Sequence, residues 1–122
     1  MNLQELKNKK NDELVKMAEK LGIEDASGKR SQELIYEILQ KLVENNEIIL
    51  ADGVLQILPD GFGFLRSPKY NYLPGPDDIY VPPSMIKKYG LRTGQTINGE
   101  IRSPKDGERY FALQKITSVF EN

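Results

Sequence analysis

The sequence predicts an α+β chain: an N-terminal three-helix mini-bundle over residues 1–47, packed on a five-stranded antiparallel β-barrel over residues 48–122. Three observations carry this. Apolar residues recur at three- and four-residue spacing before residue 47. All seven prolines fall after residue 50, among short β-branched and aromatic runs separated by turn signals. Those runs arrive as three strands, one short helix and two more strands.

In the first part, Leu3 and Leu6 mark a turn or two of helix. Leu14, Met17, Ala18 and Leu21 then form an amphipathic stripe that Gly22 ends as a left-handed stop. The longest helix carries two neighbouring rows, Leu34, Ile38 and Leu42 beside Ile35, Leu39 and Val43, with Ser31 placed to cap its start. The polar stretch Glu44-Asn45-Asn46-Glu47 closes the bundle. Lys7, Lys9, Lys10, Lys29 and Arg30 read either as phosphate contacts or, interleaved with acids as they are, as the solvated face of a packing module, which the acids favour.

The strands are expected at Val54–Leu58, Phe62–Arg66, Asp78–Val81, Thr96–Arg102 and Tyr110–Ile116, with turns at Pro59-Asp60-Gly61 and Pro104-Lys105-Asp106-Gly107. Between the third and fourth strands, Ser84 to Tyr89 followed by Gly90 reads as a short helix. At Pro82, before Pro83, a small polar cap would be the ordinary residue. This order is that of an OB-fold barrel, whose surface commonly receives oligonucleotides.

Side chains alternate between faces along a strand, and a barrel buries one face. Leu65, Ile79, Val81, Ile97, Ile101, Phe111 and Leu113 form the inward set. Phe62, Phe64 and Arg66, then Asp78 and Tyr80, then Glu108 and Tyr110 therefore point outward. An outward group of four aromatic rings is a platform on which unstacked bases stack for about 1–3 kcal/mol each. A competing reading has Phe62 and Phe64 plug a barrel end or pack under the long loop Ser67–Asp77. Arg66 and Asp78 read either as an ordinary surface ion pair or as a pair facing a base edge, the carboxylate accepting from the exocyclic amine of cytosine. Glu108 repels phosphate, so it faces a base with Tyr80 and Tyr110 or is an acidic turn residue beside Asp106. Lys105 and Arg109 are the nearest phosphate contacts.

Composition sets limits. The chain has 122 residues, no cysteine, no histidine and a formal charge of −1. Disulfides, thiol chemistry and the usual zinc ligands are therefore excluded, and no cofactor is expected. No apolar run reaches membrane-spanning length, so no membrane partner is expected, and the absence of cysteine fits a reducing cytoplasm. The near-zero charge suits binding by stacking better than binding by phosphate neutralisation. No carboxylate has a neighbour that would tune it for acid or base work, so catalysis is not expected.

The run Gly61-Phe62-Gly63-Phe64-Leu65-Arg66 with Asp78-Ile79-Tyr80-Val81 is similar to the two RNA-binding motifs of cold-shock domains. Val81-Pro82-Pro83 lacks the aromatic and histidine of that family's second motif. A closer resemblance runs end to end. It passes through Met1-Asn2-Leu3, Asp52-Gly53-Val54-Leu55, Asp60 to Arg66, Gly75-Pro76-Asp77 to Val81 and Gly107 to Leu113, and it is to the N-terminal domain of bacterial Rho transcription termination factors. The resemblance implies a cold-shock-like OB-fold and primary binding of single-stranded, cytosine-rich RNA at Phe62, Phe64, Arg66, Asp78, Tyr80, Glu108 and Tyr110. Single-stranded DNA is a further partner to consider. It also implies a homohexameric, ATP-driven full-length protein. This chain has no Gly-Lys-Ser/Thr phosphate loop and is expected to be a non-catalytic, monomeric RNA-loading fragment. The alternatives are a free-standing cold-shock-like RNA chaperone and a protein-docking module using the aromatic face.

Overall fold

Helix-forming spacing in the first part of the chain becomes three α-helices in the computed structural model, which describes residues 1–67, 74 and 78–121. The chain divides into two compact units, Met1–Ile49 and the remainder from Leu50 onward. The first holds α1 (Leu3–Lys7), α2 (Asn11–Lys20), a single 3-10 turn at Ala26–Gly28 and α3 (Ser31–Glu44). Asn2 caps α1, its side-chain oxygen accepting from the Gln4 amide at 2.8 Å. Helices α2 and α3 pack on each other. Leu6, Leu14, Ala18, Leu34 and Ile38 have no solvent exposure, and each large aliphatic among them is worth roughly 1.5–3 kcal/mol when buried.

Ser31 does not cap α3. Arg30 occupies that position in extended geometry, and the Ser31 hydroxyl instead accepts from the side-chain amide of Asn11 at 2.9 Å, joining the starts of α2 and α3. The stop at Gly22 has a clear mechanism. Gly22 has φ +81, its amide bonds the Glu19 carbonyl at 3.0 Å, and the Ile23 amide bonds Ala18 at 3.0 Å. The same pair of bonds ends α3: Asn46 at φ +64 donates to Val43, and Glu47 donates to Leu42.

From Ile49 onward the chain forms β1 (Ile49–Ile57), β2 (Gly63–Arg66), β3 (Ile79–Val81), α4 (Pro83–Tyr89), β4 (Thr96–Arg102) and β5 (Ala112–Phe120), all of it past Ile49 in the second unit. The strands close into a barrel in the order β1-β2-β3-β5-β4. Among the described residues the strand pairings are antiparallel except that of β3 with β5, which is parallel at Tyr80 and Ala112. The barrel thus matches the expected class but is not wholly antiparallel, because α4 separates β3 from β4 and the last strand returns beside β3. The β1 and β4 edges meet where the Leu55 amide donates to the Gln95 carbonyl at 2.9 Å and the Gly94 amide donates to Leu55 at 2.8 Å.

Leu65, Ile79, Val81, Ile97, Ile101 and Leu113 are buried as expected. Phe111 is only half-buried, because β5 begins one residue later and the Phe111 carbonyl accepts from the Tyr80 amide at 2.9 Å. Strand β1 starts five residues before its expected place and β5 runs on to Phe120. The turn at Pro59-Asp60-Gly61 is present, with Gly61 at φ +94 and its amide on the Leu58 carbonyl at 2.9 Å. Helix α4 begins on two prolines: Pro82 takes the capping position with φ −69 and ψ 150, and Pro83 follows as the first helical residue. Proline geometry replaces the polar cap there. Of the long loop expected over Ser67–Asp77, the part from 68 to 73 and from 75 to 77 lies outside the described residues.

Candidate nucleic-acid interface

Strand register, rather than sequence proximity, assembles the outer face. Gln56 is paired with Phe64, Phe64 with Tyr80, Tyr80 with Ala112, and Ala112 with Arg102. One row therefore crosses all five strands, and its centre is aromatic. Gly63 lets β2 lie close to β1, since a Cβ there would sit 2.9 Å from the Gln56 carbonyl oxygen and 2.9 Å from a Leu55 methyl.

Around this row the rings form a continuous cluster. Phe64 lies 5.0 Å from Tyr110 and 6.1 Å from Tyr80, centroid to centroid, both nearly edge to face. Phe62 is 5.8 Å from Phe64 and 5.7 Å from Tyr80. These separations are those of favourable aromatic pairs. All four rings are half-buried rather than fully outward. They enclose a cleft of about 310 Å³, which Ala112 also lines and to which Glu108 and Arg109 contribute the polar groups. Phe62 stands one residue before β2, where its carbonyl accepts from the Leu58 amide at 2.8 Å.

Two predicted site residues differ from expectation in depth. Arg66 and Asp78 were expected to point outward, yet their relative exposures are 6% and 5%. Arg66 Nη1 pairs directly with Asp78 Oδ2, and Arg66 Nε donates to Gln56 Oε1 at 3.0 Å. The guanidinium carbon also lies 5.0 Å from the Phe64 centroid, within cation–π range. The pair is thus buried rather than an ordinary surface ion pair. Alternation fixes the face on which a side chain lies and says nothing about what covers it.

Glu108 sits in the β4–β5 connection, where the Glu108 amide donates to the Lys105 carbonyl at 2.9 Å and Gly107 adopts φ +86. Arg102 grips its carboxylate with Nη1 on Oε1 at 2.7 Å and Nη2 on Oε2 at 3.2 Å, and the Lys105 amide adds a bond to Oε1 at 2.8 Å. The Arg102 hydrogen bond, then that of the Lys105 backbone, holds the Glu108 carboxyl down from 4.5 to about 2. Lys105 contributes its backbone to this arrangement, while its exposed side chain does not line the cleft.

Ala112, Arg102 and Gln56 were missed from the sequence. Alternation could have found two of them: Ala112 lies two residues from Tyr110, and Arg102 is out of phase with inward Ile97 and Ile101. No helix of the described residues is long and apolar enough to cross a membrane.

A closed five-stranded barrel with a helix between its third and fourth strands, bearing an aromatic row on its outer face, defines an OB-fold domain of the nucleic-acid-binding kind. The chain belongs to the Rho termination factor family. The model of the Rho termination factor RNA-binding domain matches residues 51–122, and that of the Rho termination factor N-terminal domain matches residues 5–47. Among its relatives are the proteins named transcription termination factor Rho from Escherichia coli, Salmonella typhimurium and Buchnera aphidicola. Each is 55% identical over 119 residues, covering 98% of this chain. The chain spans 28% of the length of these relatives.

Proposed function

We propose that the barrel binds single-stranded, cytosine-rich RNA, as the primary RNA-loading module of a Rho-type transcription termination factor. The observation that supports this most is the ring cluster of Phe62, Phe64, Tyr80 and Tyr110 around one cleft with Glu108 and Arg109 at hand. Rings offer each base a stacking surface, Arg109 a cation for the phosphate chain, and Glu108 an acceptor for the cytosine amine. In this reading Lys105 adds a solvent-side charge near the same loop, and the Arg66–Asp78 pair, beside Phe64, reads the edge of a neighbouring base. The family match does not favour a free-standing RNA chaperone or a protein-docking module.

The proposal extends to the whole protein. Loading by this module feeds a cytoplasmic homohexamer whose ATP hydrolysis and translocation reside outside these 122 residues, and the module itself performs no catalysis and acts without a cofactor. Single-stranded DNA, as a further partner, binds through the same stacking of its bases.

Fluorescence-anisotropy titration of short oligo-C, oligo-U and oligo-A RNA at two salt concentrations tests it. Oligo-C binds tightest, and Phe64→Ala weakens it by about tenfold or more, since one stacked base is worth about 1–3 kcal/mol. The salt slope is shallow, at about 0.7 per neutralised phosphate for only a few phosphates. A folded sample that binds none of the three oligomers overturns the reading.

A further inference from the structure

We propose that Arg102 is a positioning residue for the cleft: it clamps one edge of the Glu108 carboxylate so that the other edge is a fixed acceptor for a pyrimidine's exocyclic amine. This deepens the RNA-binding reading above and rests on it.

The argument starts from register. Arg102 is the β4 member of the row that carries Phe64, Tyr80 and Ala112, so the clamp is built on the same strands as the cleft. Its Nη1 also donates to the Ser103 carbonyl at 3.1 Å. One guanidinium thereby ties the start of the β4–β5 connection to Glu108 near its end, and the three consecutive residues Glu108, Arg109 and Tyr110 all line the cleft. The two carboxylate oxygens are not equivalent. Oε1 accepts two short bonds, from Arg102 Nη1 at 2.7 Å and the Lys105 amide at 2.8 Å, whereas Oε2 accepts one long bond at 3.2 Å. Each carboxylate oxygen has about two acceptor sites, so Oε2 keeps the greater capacity for an incoming donor. Arg102 also offsets a negative charge that would otherwise repel an RNA backbone.

Cytosine presents an amine where uracil presents a carbonyl, and only the amine satisfies an oriented carboxylate. Lysine at this position would keep the charge but not the planar two-pronged grip.

The test titrates short oligo-C and oligo-U RNA into the 122-residue chain as wild type, Arg102→Gln, Arg102→Lys, Glu108→Gln and the Arg102→Gln/Glu108→Gln double variant. Arg102→Gln should reduce the oligo-C to oligo-U affinity ratio by about fivefold, the scale of one hydrogen bond, and Arg102→Lys should recover part of it. With Glu108 already changed to Gln, Arg102→Gln should shift the ratio no further. A role limited to stiffening the loop would weaken both oligomers alike and leave the ratio intact, which overturns the proposal while wild-type cytosine preference stands. A wild type without that preference overturns this proposal together with the cytosine reading on which it rests. The pair is partly exposed, at 26% and 38%, so its loss costs little stability, and the Lys variant keeps the comparison within folded protein.

Discussion

Arg66 at the end of β2 and Asp78 just before β3 form an ion pair almost wholly removed from solvent, at 7% and 4% side-chain exposure. Removing one partner of such a pair strands a buried charge. Asp78→Ala should destabilise the barrel by about 3–5 kcal/mol in chemical denaturation. Replacing both residues by apolar ones of similar volume should recover most of that loss, because desolvation of both charges is then relieved. A loss below about 1 kcal/mol for Asp78→Ala would mean that water reaches the pair.

Gly99 sits at an irregularity in the β4–β5 ladder, with the register shifting between Asn98 and Gly99. A Cβ there would lie 2.2 Å from the Lys115 carbonyl oxygen and 2.6 Å from a Leu113 methyl. The Lys115 carbonyl cannot move away without breaking the ladder. Gly99→Ala should therefore cost at least about 2 kcal/mol, read as a drop in thermal midpoint. An unchanged midpoint would show that the bulge can slide.

Asn46 closes α3 in left-handed geometry at φ +64. Asn46→Gly should be neutral or slightly stabilising, whereas Asn46→Val should cost about 1–2 kcal/mol, since a β-branched residue resists that region. Equal stability of the two variants by urea titration would contradict the capping argument.

Glu108 titrates low in the folded chain, at about 2 against an ordinary 4.5. A depressed folded value means that its contribution is fully present above pH 4.5 and fades as pH falls through about 2. NMR titration of the Glu108 carboxyl carbon should give a midpoint near 2 in wild type, rising toward 4.5 in Arg102→Gln. A wild-type midpoint near 4.5 would mean that the Arg102 grip is absent in solution.

Element order, the inward strand residues and the aromatic face were legible because a period of two and a period of 3.6 are written directly into residue spacing. Boundaries were less so. Asp52-Gly53 has the look of a turn, yet it lies inside β1 because Gly53 faces Leu65, where a Cβ would approach the Leu65 Cβ to 2.9 Å. The end of β5 was hidden because its burial pattern loses alternation after Leu113, where the bulges opposite β4 intervene. In the site, four rings were found as a set, but the depth of Arg66 and Asp78 was not. Nor was the grip of Arg102 on Glu108, which depends on a turn geometry that residue spacing does not encode.

The parallel contact between Tyr80 and Ala112 joins residues far apart along the chain, and that distance dictates when the cleft can exist. Tyr80 emerges with the third strand, but its neighbours Glu108, Tyr110 and Ala112 arrive only with the fifth. A chain still lacking β5 has the first two phenylalanines and no cleft to close around a base. Occupancy is thereby coupled to completion of the barrel, and a bound oligonucleotide would stabilise the closed form by mass action against every partly zipped one.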